Sequence, residues 1–160
     1  YYDAFPLSDT VFNPLNSAKL DLAITPQARQ NRSLIETLEL QAHFAVRKGY
    51  LVCHGWKIGN AALEAFLKKK KSKVEPGDIQ PDIEQKGVDI KIGLDIAWIA
   101  SKRIADIILI ISGDADLVPA MKFARKEGLK VYLNTLGHPV NRELKVHSDL
   151  IINTLMNPRS

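Results

Sequence analysis

The chain has 160 residues, 46% hydrophobic and 25% charged, a composition expected of one soluble globular domain with a real core. Its longest apolar run, Ala105 to Ser112, contains Asp106 and is too short to cross a bilayer, and no signal-peptide pattern opens the chain, so neither membrane insertion nor export is expected. A lone cysteine, Cys53, has no internal disulfide partner and no CxxC or CxxH pair for zinc, which points to a reducing, cytoplasmic setting. The net charge of +4 is unevenly placed: five lysines crowd Lys68–Lys73, while acids gather between Asp78 and Asp116. That layout suits a phosphate-chain substrate, although a lysine run also serves simply as a solvated loop.

In chain order, Tyr1 and Tyr2 read as the tail of a strand, followed by a long irregular connection from Leu7 to Pro26. A helix is expected from Ser33 to Lys48, started by a Ser33–Glu36 capping box and stopped by Gly49, with His43 on it. Tyr50–Cys53 reads as a short strand. Asn60–Lys71 reads either as a short helix or as part of a two-stranded arm turning at Pro76–Gly77, and periodicity does not choose between them. From Val88 to Lys102 apolar residues recur at helical spacing. Asp106–Ser112 is an all-apolar strand, the pattern of a strand covered on both sheet faces. A helix with Pro119 in its first turn follows, burying Met121, Phe123 and Ala124 and ending at Gly128. Then come a strand at Leu129–Asn134, a short helix at Pro139–His147 and a last strand at Leu150–Thr154. Alternation of this kind predicts an α/β fold with a parallel sheet. Trp56 and Trp98 are expected in the core, Trp56 alternatively exposed to stack on a base.

Ligands of open parallel sheets bind beyond the carboxyl ends of the strands. Asp114 and Asp116 lie just there, and Ser112–Gly113 allows a close backbone approach. Two adjacent carboxylates repel unless a cation joins them, and Mg²⁺ favours carboxylates together with waters and substrate phosphates. The plainer alternative is that Asp116 caps the following helix and Asp114 serves the turn. Asp89 opens the preceding helix and should reach the same rim, with Lys86 beside it to offset charge or touch a phosphate. Asp95 lies roughly 9 Å further along that helix. The four histidines share no metal spacing. No GxSxG, GxGxxG or Walker sequence is present, so nucleophilic catalysis and the common nucleotide folds lack support.

"QKGVDIKIGLDIAWIA" (Gln85–Ala100), "ADIILIISGDADLVPAMKFARKEGLKVYL" (Ala105–Leu133) and "NRELKVHSDLIIN" (Asn141–Asn153) together resemble the NYN domain of the PIN-like nuclease superfamily, in its LabA-like branch. The resemblance implies a PIN-like three-layer sandwich, with a mainly parallel central sheet and helices on both faces. It implies a Mg²⁺- or Mn²⁺-dependent ribonuclease whose catalytic residues are Asp89, Asp114 and Asp116, with Asp95 as a further metal ligand. Lys68, Lys69, Lys70, Lys71, Lys86 and Ser112 are the expected substrate contacts. Residues 1–160 then form a single domain that begins after the family's first strand and helix, with 56–86 as a variable basic insertion or arm. RNA is the expected partner, a membrane is not, and a homodimer stays open. The alternatives are a non-catalytic RNA- or protein-binding module on the same fold and, further off, a response-regulator-like phosphoacceptor.

Overall fold

The computed structural model describes residues 1–152, which fall into two compact units, Tyr1–Val88 and Asp89 onward. Both mix helices and strands, so the fold is α/β. Residues 153 and 154 of the expected last strand lie outside the described residues.

In the first unit, β1 (Tyr2–Ala4) pairs in parallel with β4 (Arg47–Ile58), which pairs antiparallel with β5 (Ile79–Lys86). The stretch expected to be irregular holds a small hairpin, β2 (Thr10–Phe12) with β3 (Lys19–Asp21). The first helix, α1, spans Pro26–Glu39 rather than starting at Ser33. Thr25 Oγ1 accepts a hydrogen bond from Ala28 N at 3.2 Å and Pro26 sits at the first helical position. That start, a side-chain cap followed by a preset φ, wins over the Ser33–Glu36 pair. The helix also stops short of the expected Lys48, and His43 lies beyond it in a left-handed conformation. Here pairing overrides propensity: the Tyr1 ammonium donates to Ala45 O at 2.7 Å, and Arg47 N donates to Tyr1 O at 2.8 Å as β4 begins. At Gly49 a Cβ would stand 2.5 Å from Val88 Cγ2 and 2.6 Å from Lys86 O, so this buried strand position tolerates no side chain.

β4 is therefore much longer than Tyr50–Cys53. Past a bulge between Cys53 and Trp56 it runs with β5 as an arm, and between the strands lies α2 (Asn60–Leu67). Helix and arm are both present. The arm's return is a 3-10 turn, Pro76–Asp78, with a reciprocal Glu75–Asp78 capping box.

The helix α3 (Val88–Lys102), as expected, opens the second unit from Asp89 on, and β6 (Ile107–Ile111), α4 (Val118–Lys126), β7 (Lys130–Asn134), α5 (Arg142–Val146) and β8 (Leu150–Ile152) follow. The strands form a parallel sheet in the order β6-β7-β8. Asp149 locks its last strand: its Oδ2 accepts from Val131 N at 2.8 Å and its Oδ1 meets Arg125 Nη2 at 2.9 Å. The core joins Ile96 and Ala100 of α3, Ile110, Met121, Val131, Leu133 and Leu144.

Three burial expectations fail in this unit. β6 is not covered on both faces: Ile110 is buried, but Ile107, Leu109 and Ile111 are 46%, 49% and 58% exposed. An all-apolar strand leaves its two faces indistinguishable in sequence, and the period of two turns alternate residues away from the core. Trp98 is 58% exposed because Ile92, Ile96, Ile99 and Ala100 already fill the core side of α3. Phe123 is likewise exposed, while Met121 and Ala124 are buried. Among the described residues no helix is long and apolar enough to cross a membrane, and Cys53 is a free thiol.

Candidate metal centre

The loop after β6 is shaped by short-range hydrogen bonds. Asp114 N donates to Ser112 Oγ at 3.1 Å, and Asp116 N donates to Asp114 Oδ1 at 2.9 Å. Asp114 thereby caps a 3-10 turn, Ala115–Leu117, that leads into α4. The cap on α4 itself is Leu117, with no side-chain hydrogen bond. The capping aspartate is thus Asp114, and the idea that Asp116 caps the helix is corrected. The physical reason is reach: a 3-10 turn intervenes, so the aspartate immediately ahead of it meets the free amides first.

Asp89 enters from the first turn of α3. Gly87, at φ +76°, makes the reversal between β5 and that helix, a conformation that glycine adopts without strain. One carboxylate oxygen each from Asp89, Asp114 and Asp116 can be chosen so that all three lie within 4.8 Å of one another. All three residues are exposed, and among the described residues none of their carboxylates has an ion-pair partner. Asp114 spends one oxygen on the turn, while the carboxylates of Asp89 and Asp116 are fully available. Three hard anionic oxygens this close, with no cation of the protein's own, are a donor set that fits a divalent metal, and the group can hold one.

The other candidates are arranged differently. Asp95 is half-buried, engaged in an interaction of its own, and does not join the trio. Its six-residue offset along α3, about 9 Å of rise, accounts for that. Ser112 stands at the site as an acceptor for the loop. The Lys86 ammonium is held by Glu84. Within the lysine run, Lys68 pairs with Glu64 at 2.8 Å, and Lys71 pairs with Glu75 at 2.8 Å and Asp78 at 2.7 Å. Lys69, Lys70 and Lys73 are exposed and unpaired among the described residues. Lys73 carries the same free charge as its neighbours, a role that the run's composition alone did not single out. A cavity of about 690 Å³ in the first unit has Asp3 as its only carboxylate. Both oxygens of Asp3 are already hydrogen-bonded, to Tyr1 and Ala4, so no metal set forms there.

Residues 25–153 match the profile of the NYN domain, four-fifths of the chain and parts of both units. The chain belongs to the NYN domain family. NYN domains have a nuclease-like fold, and NYN nucleases generally use divalent metals, in keeping with the acidic trio. Curated proteins give no match. Among solved structures the chain is similar to the crystal structure of a protein of unknown function from Vibrio parahaemolyticus, at 17% identity and a TM-score of 0.46. The alignment covers 81% of this chain and 62% of that one, so the chain spans less than two-thirds of that protein's length.

Proposed function

We propose that this NYN domain is a Mg²⁺- or Mn²⁺-dependent ribonuclease that hydrolyses RNA phosphodiesters, with Asp89, Asp114 and Asp116 as metal ligands and catalytic residues. The observation that carries the reading is the unpaired trio of carboxylates within 4.8 Å, beside the carboxyl end of a parallel strand. A divalent cation held there supplies charge stabilisation on the reacting phosphate and a water of lowered pKa. The chain's own part is orientation. The turn fixes Asp114 through the Asp116 amide, leaving its second oxygen without a hydrogen bond among the described residues. Asp89 and Asp116 present both oxygens, so two carboxylates remain to orient an attacking water as well as to ligate. No side-chain nucleophile is required.

RNA is favoured as substrate by the unpaired ammonium groups of Lys69, Lys70 and Lys73, which attract a phosphate backbone without reading its sequence. Lys68 and Lys71 join them when an RNA outcompetes their surface acids. Lys86 and Ser112 are proposed substrate contacts of the same reading. The PIN-like three-layer sandwich, the LabA-like branch and a cytoplasmic location belong to the same proposal. With Mn²⁺ the protein is expected to degrade single-stranded RNA. Asp114→Asn should slow this by at least about a hundredfold, the upper end of what losing a mere supporting group costs a metal site. Undiminished cleavage by that variant would sink the assignment.

A further inference from the structure

Behind the acidic loop, and built from the same unit, lies a cavity of about 600 Å³ lined by Thr135, Gly137, His138, Val140, Lys145 and Ile151 among others. Two contacts place it next to the trio. A Cβ added at Gly113 would lie 3.9 Å from Val140 Cγ1, so the Ser112–Asp114 turn rests against the cavity wall. The helix α5, which carries Lys145, packs beside the 3-10 turn that carries Asp116. Among the described residues the lining contains no carboxylate. Among the described lining residues the one permanent charge is Lys145, whose ammonium has no hydrogen-bond or ion-pair partner there. The His138 ring is likewise unengaged and brings a further N–H.

From this geometry we infer that the Thr135–Lys145 cavity is an anion subsite that holds a phosphate of the RNA strand neighbouring the scissile one, with Lys145 as its cationic contact and His138 as a second donor. The inference rests on the ribonuclease reading and adds where the strand is gripped. The chemistry is complementary on each side of the Gly113 turn. The acids require a cation between themselves and a phosphate, whereas the cavity meets a phosphate directly. Lys145 and His138 are both exposed, so what sets this ammonium apart is the lack of a counter-charge: no carboxylate of the described lining competes with a phosphate for it.

The test separates the strand grip from the metal chemistry by working in EDTA. Fluorescence anisotropy would follow a ten-nucleotide oligouridylate over a range of salt concentrations. Lys145→Ala should weaken binding roughly three- to tenfold and lower the salt slope by about 0.7, one phosphate contact on a single strand. Lys145→Arg should restore the slope, and Lys126→Ala, at the far end of α4, should leave both unchanged. In Mn²⁺, Lys145→Ala should raise KM with little change in kcat. The subsite is overturned if Lys145→Ala matches wild type in affinity and slope, or if Lys126→Ala loses as much. If wild type cleaves RNA while Lys145→Ala is silent, only the subsite falls. If wild type neither binds nor cleaves RNA, the ribonuclease reading falls, and inorganic phosphate decides for the cavity. A phosphate-dependent shift of the His138 ring resonances that vanishes in Lys145→Ala upholds an anion site. No shift in wild type overturns it.

Discussion

The arm of the first unit and the loop of the second are both densely charged, yet they handle charge in opposite ways. Along the arm each acid has its base: Lys57 meets Asp82 at 2.6 Å, His54 and Lys86 share Glu84, and Lys71 bridges Glu75 and Asp78. These pairs close on themselves, and the exposed ones among them contribute little each to stability. Around the Ser112–Asp116 loop three acids converge with no base among them. Folding gains nothing from that convergence, so its natural partner comes from outside. Charge density therefore says little about function, and the pairing of charges says much. By the same criterion the arm still offers its unpaired lysines, Lys69, Lys70 and Lys73, and the second unit offers Lys145.

The sharpest way to break this contrast is a metal titration followed by thermal unfolding. At a hundred times its Kd, a bound cation should stabilise wild type by about 2.7 kcal/mol. Asp89→Asn and Asp116→Asn should each abolish the gain, whereas Asp95→Asn should keep most of it. In EDTA the order reverses: Asp116→Asn should be at least as stable as wild type, because it removes repulsion and no hydrogen bond. A metal-free loss on that substitution would mean that Asp116 has a structural partner after all.

Next in size is a change at a position where charge plays no part. Gly49→Ala should cost about 1–3 kcal/mol in denaturant unfolding, since the added methyl meets Val88 and a backbone carbonyl. A neutral result would show that β4 and β5 can part there.

The arm's own division into paired and free lysines is tested by salt dependence. Replacing Lys69, Lys70 and Lys73 together with alanine should reduce the salt slope of RNA binding by about 2, at 0.7 per contact. Replacing Lys68 alone should change it less than any one of those three. Equal effects would erase the distinction drawn from the ion pairs.

The smallest effect concerns the arm's closed network. The hydrogen bond from Lys71, aided by Glu75 N, holds the Asp78 carboxyl below its usual pKa of 3.8. A depressed carboxyl contributes stability above its unfolded pKa and loses it as pH falls through the folded value. Asp78→Asn should therefore be slightly less stable than wild type near neutrality, and the difference should fade below about pH 4. A difference that persists in acid would assign the loss to packing instead.

Much of the second unit was legible before any coordinates. Helical spacing marked Val88–Lys102, the apolar run marked β6, and Pro119 with Gly128 bracketed α4, because local sequence carries periodicity and punctuation directly. The acids at the end of β6 could be read too, since strand order in parallel sheets puts ligands at that rim. In the first unit the register of β4 against β1 was invisible, and it took Arg47 and Lys48 away from the expected helix. The Asn60–Lys71 choice was equally closed to reading, because short apolar stretches suit either state. Which lysines stay free, and which aspartate caps, depend on side chains brought together from distant or turned positions. The sequence by itself therefore determined the family, the second unit's elements and the acids at its rim, through patterns that repeat within a few residues. Only the tertiary structure decided that Asp89 joins Asp114 and Asp116 while Asp95 does not, and that one face of β6 is left bare. The reason is that distance and pairing between side chains are properties of packing, which no local pattern encodes.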